Sequence, residues 1–146
     1  MIGTRAWRDD DDGNAMVEFV YLAIVLMIPL VYVLITVFQV QRAAFGTTEA
    51  ARQAGRAFAR ADSVGQGQRS GQAAAALALK DQGVTSGAST RFTCGGPCLS
   101  PGSSITVTVT YFVKLPVLGR VFGDHRHGTI RVQATHTEYV DRFKSG

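Results

Sequence analysis

Hydrophobic positions fall along this chain in three successive patterns. The first is a continuous run from Phe19 to Phe38, about 20 uncharged residues that are mostly branched or aromatic, enough to cross a hydrocarbon core as a helix. On insertion scales each Leu, Ile, Val or Phe contributes a few tenths of a kcal/mol, so the run favours a bilayer by roughly several kcal/mol, which Pro29 and Thr36 do not cancel. The second pattern is helical and built of small residues. From Gln39 to Ala61, Ala43, Ala50, Ala54, Ala57 and Ala61 recur on one face while Glu49, Arg52, Arg56 and Arg60 occupy another. The helix of the first run therefore continues past it as one rod of about 45 residues. Gly46 and Gly55 each cost roughly 1 kcal/mol against alanine inside a helix, which makes sense where another backbone comes close, either that of a neighbouring molecule or that of the protein's own sheet.

The third pattern has period two. Ile105, Val107, Val109, Tyr111 and Val113 alternate with Thr106, Thr108, Thr110 and Phe112, as in a half-buried strand. Ala88 to Cys94 reads as its hairpin partner, joined through the CGGPC turn and the loop Ser100 to Ser104. Thr129 to Tyr139 reads as a third strand with Ile130, Val132 and Ala134 inward. Asp62 to Ser70 is rich in Gly, Gln and Ser and reads as a linker, after which Ser70 reads as the N-cap of a short second helix that Gly83 is placed to end. The expected fold is α+β: a long N-terminal helix, transmembrane and continuing outside, a short second helix, and a small antiparallel sheet of about three strands. The expected regions are a leader at 1–13, the transmembrane and extended helix at 14–61 with its span at about 19–40, and a small α+β domain at 62–146.

Length and charge narrow the classes. At 146 residues there is room for one span and one small domain with a thin core. The net charge of +4 comes from scattered Arg and Lys without a dense basic run or interleaved aromatics, which argues against nucleic acid. Arg5 and Arg8 ahead of an apolar segment suggest a secretory signal peptide. The segment is too long for one, and Gln39, Gln41 and Arg42 separate it from any small-residue cleavage site, so it reads as an anchor in the lipid bilayer. Basic residues do not favour a cytoplasmic N-terminus, since Arg5 and Arg8 on one side face Arg42, Arg52 and Arg56 on the other.

Cysteine usage points the other way. Cys94 and Cys98 are the only two cysteines; the Gly-Gly-Pro between them lets the chain fold back and join the sulfurs, and a disulfide puts this half outside the cytoplasm. The rival, a zinc site, needs four ligands, and His125, His127 and His136 do not provide a second paired cluster. His125 and His127, beside Asp124 in the loop from Lys114 to Gly128, read as solvated groups in a segment that can touch membrane or partner. His136 reads as a partly buried histidine with a hydrogen-bond partner, and Asp9 to Asp12 as a solvated acidic tail. There is no GxSxG elbow, no phosphate-binding glycine loop with its lysine and no HExxH. The chain is therefore read as a non-enzyme without metal or cofactor.

Two features at the head of the apolar run remain. Glu18 stands at its start, where an ionised carboxylate is expensive unless it finds a partner or the headgroups, and Gly13 lies five residues earlier. The segment Gly13-Asn14-Ala15-Met16-Val17-Glu18-Phe19, the apolar run containing Pro29 and the following TTEAARQAGRAFA together resemble pilin-type precursors, most closely the TadE-like proteins of Tad/Flp pilus and tight-adherence systems. The resemblance covers Gly13 to about Ala61, about a third of the chain. It implies a type IV-like precursor in the cell membrane, N-terminus cytoplasmic and C-terminal domain outside. Prepilin peptidase would cut after Gly13 and leave Asn14 as the new N-terminus. Glu18 and Phe19 would belong to the motif used in processing and assembly, and the product would be a minor pilin or assembly component meeting other pilin-like subunits. The leader departs from the family in carrying Asp9 to Asp12 where basic residues are common. Two other classes make different demands. An uncleaved, membrane-anchored extracytoplasmic binding domain would tolerate substitution at Glu18, and an anchored enzyme using the GDHRHG loop would lose activity on changing His125 or His127.

Overall fold

The computed structural model describes residues 11–114 and 128–143. In chain order they form α1 (Asp11–Ala59), α2 (Val64–Asp81), β1 (Ala88–Cys94), β2 (Ser104–Lys114) and β3 (Thr129–Tyr139). This is the α+β arrangement the patterns predict: a long apolar helix, a short helix and a three-stranded antiparallel sheet in the order β1-β2-β3. By its contacts the chain divides into two units, Met1–Val37 and Phe38–Gly146.

In the first unit every residue from Asn14 to Val31 is exposed. Pro29 sits inside the helix and, lacking an N–H, leaves the carbonyl one turn earlier without its donor. Thr36 donates its hydroxyl to the Tyr32 carbonyl at 2.9 Å, which satisfies the hydroxyl from within the helix.

The second unit holds the core. Ile105, Val107 and Val109 on β2 are fully buried, and the antiparallel register aligns them with the inward residues of both neighbours: Cys94 and Glu138, Phe92 and His136, Thr90 and Ala134. The opposite face is hydroxyl-rich, with Thr106 meeting Thr137 at 3.1 Å and Thr108 meeting Thr135 at 3.3 Å. On β3, Val132 and Ala134 are half-buried as expected, whereas Ile130 is exposed. The small-residue face of α1 serves the protein's own sheet. Ala50, Ala51 and Ala54 are buried in one cluster with Ile105, Val107 and Val109, and a Cβ on Gly55 would lie 3.3 Å from the Glu138 Cβ and 3.7 Å from Val107.

The stretch from Asp62 to Ser70 is not a linker. α2 begins at Val64, and its N-cap is Ser63, whose side chain accepts from the Gln66 N–H at 3.3 Å. Ser70 lies inside the helix and donates its hydroxyl to the carbonyls of Ala57 and Gly67. Two of the glycines here, Gly67 and Gly71, admit aromatic rings. A Cβ on Gly67 would stand 3.1 Å from the Phe58 ring, and one on Gly71 would stand 2.8 Å from Phe92 and 3.1 Å from the Ala54 carbonyl oxygen. Phe58 and Phe92 themselves pack with ring centroids 5.2 Å apart. The far end of α2 is as predicted: Gly83, at φ 77°, donates to the Lys80 carbonyl while Val84 donates to that of Leu79, a Schellman closure that requires a left-handed residue.

Candidate functional site

Gly13, Asn14, Glu18 and Phe19 all lie in α1. Asn14, Glu18 and Phe19 are exposed, as are Met16, Val17 and, apart from the half-buried Tyr32, the large apolar residues that follow as far as Phe38. α1 is long and apolar enough to cross a membrane, and none of its most apolar stretch is buried within the protein. Each such side chain gains roughly 1.5–3 kcal/mol on leaving water, so this half of the helix is matched to lipid or to another apolar surface. Glu18 stands just ahead of that run and makes no ion pair among the described residues.

The peptide between Gly13 and Asn14 is helical. Glycine weakens a helix by about 1 kcal/mol relative to alanine. Residues Met1 to Asp10, including Arg5, Arg8 and part of the acidic run, lie outside the described residues.

Cys94 and Cys98 are joined by a disulfide, with Cα atoms 5.5 Å apart. The bond closes the connection between β1 and β2, and this loop also carries the end of β3: Gly102 donates to the Val140 carbonyl at 3.1 Å, and Val140 donates to the Ser103 carbonyl at 2.9 Å. Leu99, next to the disulfide, takes φ 68°, a conformation uncommon for a residue with a side chain. His136 has the partner expected of it, Glu138, with Nε2 3.1 Å from the carboxylate and both side chains about a third exposed. His125 and His127 lie outside the described residues. Among the described residues no three His, Cys, Asp or Glu side chains gather as a metal site would require.

One further feature has no counterpart in the sequence pattern. Gln39, Arg42, Gln82, Gly83, Tyr111 and Lys114 line a cavity of about 240 Å³ where the first residues of α1 in this unit, the end of α2 and the end of β2 come together. Two cations meet there from distant parts of the chain. Only the β2 register and the exit of α2 unite them, so neither spacing nor charge clustering along the sequence could have signalled it. No family model matches the chain, and no curated protein or solved structure matches it either.

Proposed function

We propose that this chain is a single-pass membrane protein of the pilin-like, TadE-like kind, a minor pilin or assembly component of a Tad/Flp-type system. The observation that carries this reading is a single one: an exposed apolar helix, headed by Gly13-Asn14 and by Glu18-Phe19, whose later residues build one face of a small α+β domain. The Cys94–Cys98 disulfide supports placing that domain outside the cytoplasm, since such bonds persist in oxidising compartments. The N-terminus is then cytoplasmic, and prepilin peptidase cuts after Gly13 to give a chain that begins at Asn14. The partners are other pilin-like subunits, and no cofactor is involved.

Cleavage creates a new charge. A free α-amino group, with an unperturbed pKa of about 7.7–8.0, is largely protonated at neutral pH. A subunit displaced along an assembly axis can bring its Asn14 amine to the Glu18 carboxylate of its neighbour, satisfying two charges that lipid solvates poorly. Intact-mass measurement of membrane-extracted protein tests the processing: the expected mass is that of residues 14–146, and a mature protein retaining Met1 to Gly13 rejects the pilin reading. Glu18→Ala is expected to insert and be cleaved but to lose co-purification with the other pilus components at equal membrane abundance. Normal co-purification would leave Glu18 a juxtamembrane acid and favour the uncleaved anchored domain.

A further inference from the structure

The cavity beside Arg42 combines three observations. Among the described residues its charged lining is one-sided: Arg42 and Lys114 contribute two cations, Gln39, Gln82 and Tyr111 contribute neutral polar groups, and no carboxylate lines it. Among the described residues neither cation makes an ion pair or a side-chain hydrogen bond, the one ion pair there being that of His136 with Glu138. At about 240 Å³ the space is below the roughly 300–1,000 Å³ of clefts that enclose drug-sized ligands, so it suits a small polar group. Its place along α1 adds the third. Arg42 follows Phe38, the last large residue of the apolar run, by one helical turn, a rise of about 6 Å. The headgroup layer on each side of a hydrocarbon core is about 5–7 Å thick.

We propose that this cavity binds a phosphate group, presented by an anionic lipid headgroup, with Arg42 and Lys114 as its two cations and the Tyr111 hydroxyl and the Gln39 and Gln82 amides as neutral donors. Guanidinium and ammonium groups both recognise phosphate, Arg through its planar fork and Lys as a compact charge. The proposal rests on reading Phe19 to Phe38 as a membrane span, because that reading puts Arg42 one helical turn beyond the span. It does not depend on processing at Gly13 or on assembly.

The test uses the full chain in neutral detergent, titrated with submicellar dihexanoyl phosphatidylglycerol, dihexanoyl phosphatidylcholine and inorganic phosphate, and followed by phosphorus NMR line broadening. Phosphatidylglycerol is expected to bind more tightly than the other two. Removing one cation near a membrane surface changes binding about fivefold, so Arg42→Gln and Lys114→Gln should each weaken it by about that factor and the double variant by about 25-fold. Arg52→Gln, an exposed charge on α1 outside the cavity, should leave it unchanged. Equal binding of phosphatidylcholine, or wild-type affinity in the double variant with an unchanged melting curve, would overturn the site. Equal affinity for inorganic phosphate would overturn the lipid as its source. Flotation with neutral vesicles separates the underlying reading: wild type and variants should all float, and failure of the wild type to float would reject the span itself.

Discussion

At Gly71 the absence of a side chain decides how closely three elements approach. Its Cα faces the Phe92 ring on one side and the Ala54 carbonyl on the other, and an added methyl would stand 2.8 Å and 3.1 Å from them. Neither a packed ring nor a helix backbone moves cheaply. Gly71→Ala is therefore expected to destabilise the domain by about 1–3 kcal/mol, read as a lower midpoint in chemical unfolding followed by circular dichroism. Gly65 provides the contrast, since nothing lies within 4 Å of the methyl it would gain. Gly65→Ala should stabilise by about 0.4–1 kcal/mol through the unfolded chain alone. A loss at Gly65 as large as that at Gly71 would contradict this account of the packing. The pair also shows why the stretch before Ser70 misleads a reader of sequence. Glycine is punctuation by default, and its use as clearance for a ring is visible only once Phe58 and Phe92 are in place.

Elements were legible in proportion to the strength of their period. The strict alternation of Ile105, Val107 and Val109 with threonines located β2 to within one residue at each end, because slipping by one position would turn the whole apolar set toward water. α1 was legible for the opposite reason, an unbroken run followed by alanines at helical spacing. The first half of α2 offers neither. Its exposed residues, Val64, Gly65, Gln66, Gln68 and Arg69, follow no apolar period, and only Gly67 is buried before Gly71. Its beginning is fixed by a cap instead. Ser63 is extended at φ −141° and ψ 155° and accepts the Gln66 N–H, so Ser63→Ala should cost about 1 kcal/mol. Ser70→Ala keeps that cap and loses a hydroxyl that donates to carbonyls already inside helices, so it should cost less. Thermal unfolding of the two variants under one condition checks the order, and a larger loss at Ser70 would return the cap to the position its sequence suggested.

At the scale of the molecule, every buried apolar residue among those described lies between Ala43 and Val140. A fragment beginning at Phe38 should therefore fold and stay in solution without detergent, with sedimentation velocity showing a single small species and circular dichroism a cooperative melt. An aggregated or unstructured fragment would mean that the domain needs the preceding apolar helix.

The small-residue face of α1 has a consequence in time. A ribosome completes this helix first, while the residues that cover it, Ile105, Val107 and Val109 of β2 and finally Val140 just past β3, emerge long afterwards. A leucine-rich surface left uncovered for that interval would recruit whatever apolar surface came past. Alanine and glycine present so little apolar area that the delay is harmless. The one large side chain buried on that face, Phe58, is sheltered early, by the ring-wide gap at Gly67 in the very next helix. This face of the nascent chain can thus wait for its sheet without adhesive surface on display.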